Sequence, residues 1–230
     1  MKFIISKILK KIIDLRSIFF PSEIQKEFKR WIKDGGDYDN RFNYPLKSDS
    51  IVFDIGGFKG QFASDLYSRV PCKIFIFEPI TKYASEISKR FKLNQDITTF
   101  DFGLSNSSEI STINVQGDAS STERNINFYS ANQENIKLVD FVEFVKSKNI
   151  DEIDLLKINI EGGEYKLLRH IIDNNLHLKI KYFQIQFHKI NKDSIIYKKQ
   201  ISNQLSETHN CIFNYEFIWE NWIRKDLDKI

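Results

Sequence analysis

The chain has 230 residues, with 34 Lys and Arg against 31 Asp and Glu and a formal charge of +3. That length accommodates one α/β domain with a sizeable core, and so even a charge balance argues against a dedicated nucleic-acid binder, which carries a strongly basic stripe. Two distant cysteines, Cys72 and Cys211, make neither a disulfide framework nor a metal knot, and no apolar run reaches membrane-spanning length. The expected setting is a reducing cytoplasm.

Residues 1–20 are cationic and apolar. Ile5, Ile8, Leu9, Ile12 and Ile13 share a helical face, with Lys7, Lys10, Lys11 and Arg16 largely off it. Lysines interrupt any signal-peptide core. Two readings stand: a helix packed on the domain or in a homodimer, and a helix lying on a membrane surface. After Pro21, Glu23–Lys33 carries a second helical pattern, and a polar turn over 34–40 leads towards the first strand.

The most informative stretch is 51–61, IVFDIGGFKGQ. Ile51, Val52 and Phe53 read as a strand that runs into Asp54 and then Gly56, Gly57 and Gly60. Phe62, Ala63, Leu66, Tyr67 and Val70 follow at helical spacing. Strand, glycine turn and helix form the ligand-binding end of an α/β sheet. Glycine permits positive φ and close backbone approach, and the helix start offers free N–H groups. The next strand, Lys73–Phe77, ends in Glu78 and Pro79. Glu78 stands 18 positions after Gly60, where a carboxylate accepting from both ribose hydroxyls belongs. The spacing is D-x-G-x-x-x-G-Q, unlike the G-x-G-x-x-G of nicotinamide enzymes.

Ile80, Tyr83, Ile87 and Phe91 mark the next helix. A strand over 97–102 brings Asp101 and Gly103 to the ligand edge, where Asp101 either receives an adenine amino group or forms the turn. Residues 105–139 read as an inserted hairpin, with strands over 110–115 and 125–129 around a Gly/Ser turn at 117–122. It either shapes an acceptor pocket or is solvated. A short helix over 140–148 turns Phe141, Phe144 and Val145 inward and is capped by Asp140. Residues 153–160, IDLLKINI, form a nearly continuous apolar strand of the buried parallel kind. They lead into EGGE, 161–164, and a further helix. A fifth strand, 182–187, ends in His188. A helix over 194–208 and a last strand over 212–218 with WENW, 219–222, close the chain; Tyr215, Trp219 and Trp222 are either core or a platform for a pyranose ring. Strands alternating with helices give a mostly parallel sheet.

Strand alternation points Lys157, Asn159 and Glu161 the same way, with Gln184, Gln186 and His188 on another strand. Polar side chains two apart in a buried strand need partners, so these read as a site. Glu164 reads as a first-turn acid favoured by the helix dipole.

KINIEGGEYKLL resembles the K-x-D-x-E-G-x-E motif of FkbM-type methyltransferases. VFDIGGFKGQ, the acid-proline pair after the second strand and QFH after the fifth match in the same order, over roughly 51–190. The resemblance implies a class I methyltransferase fold: α/β, doubly wound, with a mostly parallel seven-stranded Rossmann-like sheet. Residues 1–47 would form an N-terminal helical extension and 48–230 the cofactor-binding domain. It implies S-adenosyl-L-methionine as cofactor, held by Asp54, Gly56, Gly57, Phe58, Gly60, Gln61, Glu78, Pro79, Asp101 and Gly103. Asp54 would stand near the methionine end and Glu78 on the ribose. The implied activity is O-methylation, often of sugars in glycans or of small metabolites; that no nucleic acid is a partner is expected from the charge balance.

The catalytic candidates are His188, Glu161, Asn159 and Lys157. His188 is the expected base, since its ordinary pKa of about 6.5 suits neutral operation. Glu161 would orient that ring or take the proton itself. Asn159 stands where the family usually has Asp, and Gln186 where an acid is common, so charge is lost there. Asn159, Glu161 and His188 are also oxygen and nitrogen donors for a divalent metal, which the loss of the Asp disfavours. Two rival readings remain. One is a non-catalytic module on the same fold, for which Asn159 is the support. The other is a NAD-dependent dehydrogenase, which needs a Tyr-x-x-x-Lys that the chain lacks.

Overall fold

Apolar runs bounded by glycine turns build the sheet that carries everything else. The computed structural model describes residues 22–114 and 133–228; the cationic segment 1–20 and the Gly/Ser turn lie outside them. Five strands, β1 (Ile51–Ile55), β2 (Lys73–Phe77), β3 (Ile97–Phe100), β7 (Ile153–Ile158) and β8 (Ile180–Ile185), run parallel, with β9 (His209–Tyr215) and β10 (Trp219–Arg224) beyond β8. The order is β3-β2-β1-β7-β8-β10-β9. β10 is antiparallel to both neighbours because it folds back from β9 through a tight turn and enters between β9 and β8.

Alternation along the strands divides the core between the two faces. Phe53, Leu156 and Phe183 look towards α4 (Phe141–Ser147), α5 (Glu164–Asp173) and α6 (Ser194–Leu205). Val52, Ile74 and Leu155 look towards α2 (Gln61–Arg69) and α3 (Thr81–Arg90). This is the doubly wound arrangement expected. A capping box opens α1 (Glu23–Lys33): Ser22 Oγ accepts from the Gln25 N–H, and the Gln25 side chain accepts from the Ser22 N–H. Trp31 of α1 is buried against Phe213 and Tyr215.

A second sheet, β4-β6-β5, stands over the ligand end. β4 (Gly103–Ser105) pairs parallel with β6 (Gln133–Asp140), and β5 (Glu109–Asn114) pairs antiparallel with β6. The insertion therefore carries strands at 109–114 and 133–140, while the strand expected over 125–129 lies outside the described residues. Ile136 of β6 packs with Ile80, Tyr83 and Ile113, while Leu138 lies against the cluster. The third strand of the main sheet stops at Phe100, earlier than periodicity predicted, and leaves Asp101 exposed. Trp219 and Trp222 are both buried, so both belong to the core.

Six phenylalanines, Phe53, Phe75, Phe77, Phe100, Phe102 and Phe144, pack ring on ring under β1, β2 and β3. Phe77 stacks on Phe100 at 5.1 Å and meets Phe144 edge-on at 5.0 Å. The Phe77 carbonyl also accepts the Gly56 N–H at 3.0 Å. Phe77→Ala is expected to cost about 3–5 kcal/mol in denaturant unfolding, and a loss below about 1 kcal/mol would refute this packing.

Candidate functional site

Register places four polar residues side by side across the sheet. Asp54 of β1 is directly opposite Lys157 of β7, Lys157 is opposite Gln184 of β8, and Gln184 is opposite Asn221 of β10. All four are buried. Lys157 Nζ donates to Asp54 Oδ1 at 2.7 Å and to the Gly56 carbonyl at 2.8 Å. Burial pushes the Lys157 pKa down, against the pull of Asp54. Gln184 and Asn221 both donate to the Tyr44 hydroxyl, at 2.7 and 2.9 Å. This row fastens the segment that precedes β1 onto the sheet.

The glycine turn lies above the row. Gly56 has φ 83°, and a Cβ there would stand 2.0 Å from the Asn159 carbonyl oxygen, so the turn sits against the end of β7 as only glycine allows. Gly60, at φ 72°, starts α2. Glu78 reaches back from β2: Oε2 accepts the Phe58 N–H at 2.8 Å and Oε1 accepts the Ile80 N–H at 3.0 Å. Burial raises the Glu78 pKa to about 7, although both backbone hydrogen bonds and Lys157 oppose the rise.

A cavity of about 450 Å³ opens between this edge and the small sheet. Gly56, Phe58, Glu78 and Pro79 form one wall, and Gly103 to Ser105 the next. Glu109, Ser111, Ile136 and Leu138 come from the small sheet; Asn159, Glu161 and Lys166 close the remaining side. Asn159 Oδ1 is buried in that side without a hydrogen-bond partner. Such an atom in a native cavity wall calls for a ligand or water.

Behind Glu161 lies a buried cation site. His188 Nε2 faces Glu161 Oε1 at 3.2 Å, and Nδ1 faces Glu164 Oε1 at 3.3 Å. Glu164 is fully buried and also accepts the His188 backbone N–H and the Gly162 N–H, each at 2.7 Å. Burial by itself would favour the neutral ring. Hydrogen bonds to Glu161 and Glu164, with their charges, outweigh it and raise the His188 pKa to about 9. Phe58 (φ 50°) and Glu161 (φ 53°) both hold left-handed backbone and both line the cavity. Strain of this kind in non-glycine residues concentrates where structure serves a site.

The predicted residues divide accordingly. Gly56, Phe58, Glu78, Pro79, Gly103, Asn159 and Glu161 line one cavity. Gly57 packs against Ile76 and supports the turn from below. Asp54 and Lys157 lie beneath the turn, paired with each other. Gln61 is exposed and bonds Asp65 and Arg90, and Asp101 is exposed beyond the shortened β3. His188 stands behind Glu161, with both ring nitrogens facing carboxylates. Two flanking carboxylates favour the protonated ring, whose nitrogens both donate. Among the described residues no group of three or more His, Cys, Asp or Glu is arranged to hold a metal ion. Glu164 does more than face a helix dipole, but its burial cannot be read from EGGE. The cavity wall from β5 and β6 was equally hidden, since only pairing brings it to the sheet.

The family described as Methyltransferase FkbM domain matches residues 54–216. No curated protein matches the chain. Similar solved structures include a putative rRNA methylase from Clostridium thermocellum, at 13% identity over 84% of this chain and 94% of that one, with a TM-score of 0.48. TrmK of M. capricolum in complex with S-adenosyl-homocysteine is 17% identical over 79% and 65%, with a TM-score of 0.46. A fibrillarin pre-rRNA processing protein of Methanococcus jannaschii is 12% identical over 79% and 69%, with a TM-score of 0.45.

The His188 site sets a pH dependence. A pKa raised above the unfolded value contributes stability that is present below about pH 6.5 and is lost as pH rises through about 9. Glu78, raised from 4.5 to about 7, adds a separate decline between those two values. NMR of the His188 ring is expected to show a midpoint near 9, brought down by Glu161→Gln. A midpoint near 6.5, with stability flat above it, would contradict the buried cation.

Proposed function

Because the chain belongs to the FkbM methyltransferase family and is an S-adenosylmethionine-dependent methyltransferase, we propose that it methylates a hydroxyl group of a sugar or glycan precursor. The observation that carries this reading is the Glu161 carboxylate, set in the cavity wall and braced from behind by His188.

The residues present fit the cofactor. The cavity is within the size range of small-molecule sites. Its glycine turn leaves no room for a Cβ at Gly56, and Glu78 presents a carboxylate already aligned by two backbone N–H groups. Glu78 is assigned to the ribose hydroxyls, and Phe58, Pro79 and Gly103 to the surrounding wall. Bound S-adenosylmethionine supplies a methyl group already activated by its sulfonium charge.

The protein's own task is to orient the acceptor and receive a proton. Glu161 Oε1 or Oε2 takes the proton from the acceptor hydroxyl as its oxygen becomes nucleophilic. His188 remains protonated, keeps the Glu161 carboxylate in place and compensates its charge. Asn159 Oδ1, an acceptor atom in the same wall, is assigned to a second hydroxyl of the acceptor. Ser105, Glu109 and Ser111 add further polar groups along the small sheet, which suits a polyhydroxylated acceptor better than an apolar one.

Calorimetry with S-adenosylhomocysteine and methyl transfer to a panel of free and nucleotide-linked sugars test this reading. Glu161→Gln is expected to lower kcat by about 100-fold or more while S-adenosylhomocysteine binds as before. Glu78→Gln is expected to weaken that binding about tenfold. Because ribose hydroxyls donate to an ionised carboxylate, native affinity should fall as pH drops below about 7. Stabilisation by NAD instead, or full turnover in Glu161→Gln, would overturn the assignment.

A further inference from the structure

Charge is unevenly spread along the chain. Residues 1–33 carry nine Lys or Arg and three Asp or Glu, whereas the remaining 197 carry 25 and 28. A nearly neutral protein therefore has one strongly cationic end. The described part of that end is α1. Its inner edge is fixed to β9: Trp31 is buried against Phe213 and Tyr215, and Arg30 donates to the Asn214 carbonyl at 2.7 Å.

Next to this edge, at helical spacing, stand Ile24, Phe28 and Ile32. They are 38%, 50% and 51% exposed and belong to no core cluster. Lys29, Lys33 and Lys26 follow around the helix. Among the described residues neither Lys29 nor Lys33 has an ion-pair partner, and Lys26 pairs only with Glu23 on the exposed side. The residues before α1 repeat this chemistry, with Lys2, Lys7, Lys10, Lys11 and Arg16 set among isoleucines, leucines and phenylalanines.

Three large apolar side chains beside a row of lysines match a lipid–water interface. The apolar groups enter the acyl boundary and the ammonium groups meet anionic headgroups. A symmetric contact with a second copy would instead bring lysines against lysines. We infer that the exposed face of α1 docks on an anionic lipid surface. The contacts of α1 fall on residues 213–216 at the carboxyl end of β9. The β10 register aligns that end with the carboxyl end of β8. The docking face and the cavity thus share one end of the sheet, about four strand spacings or 19 Å apart across it.

The test is sedimentation of the full chain with phosphatidylcholine vesicles, with and without phosphatidylglycerol. Partition is expected only with the anionic lipid and should decline as salt is added. Ile24→Ser, Phe28→Ser and Ile32→Ser together should weaken it at least about tenfold, and Lys29→Glu with Lys33→Glu by about fivefold or more per lysine. These positions are exposed, so unchanged S-adenosylhomocysteine binding serves as the check on folding. Equal partition to both vesicle types, no partition, or native-like partition of the serine variant would overturn the inference. So would a dimer in light scattering that the serine variant dissolves, since the stripe would then belong to a second copy.

Discussion

The contact between Lys157 and Asp54 is the constraint on which the ligand end depends. Neither group could be left alone where it lies: breaking a buried pair by removing one partner typically costs about 3–5 kcal/mol. Lys157 then uses a further donor on the Gly56 carbonyl, so one ammonium group ties together β1, β7 and the turn between β1 and α2. From that point the site assembles in sequence. The turn presents the Phe58 N–H, Glu78 accepts it, and the carboxylate is thereby aimed at the cavity. The same polar row reaches Tyr44 through Gln184 and Asn221, joining the segment ahead of β1 to the far side of the sheet.

A second buried cation, His188, works by the same logic beyond the end of the neighbouring strand, β8. It neutralises Glu164, which is out of reach of solvent, and supports Glu161, which faces the cavity. Both cations were read from the sequence as reacting groups. Each already faces a carboxylate at hydrogen-bonding distance, and on the proposed reading each serves as a support. Glu161 and Glu78 are the carboxylates they support that line the cavity, and the proposed function rests its chemistry on them. The left-handed backbone at Phe58 and Glu161 fits this division: the Phe58 N–H donates to Glu78, and the Gly162 N–H, next after Glu161, donates to Glu164.

Local patterns were enough to read the strand, glycine turn and helix at 51–69, and the place of Glu78 after the second strand. Those features depend on neighbours close in the chain. The pairing of Asp54 with Lys157 spans 103 positions and follows from the register of β1 against β7, which no local pattern states. Glu164 was underrated for a similar reason: its partner His188 arrives from another strand. Gln61 and Asp101 sit at motif positions, yet a helix start turned outward and a strand ending two residues early leave both on the surface. The small sheet is legible as an insertion and the strand over 110–115 matches β5, but the strand at 133–140 escapes polar alternation, since its place rests on the burial of Ile136 against Ile80 and Tyr83.

Whether the Asp54–Lys157 contact shapes the cofactor site is tested most directly by a double-mutant cycle read in S-adenosylhomocysteine affinity. Asp54→Asn and Lys157→Met should each weaken binding about tenfold or more, and the double variant should lose clearly less than the two losses combined, because no charge is then left unpaired. Native affinity in either single variant, or losses that simply add, would contradict the dependence of the site on this contact.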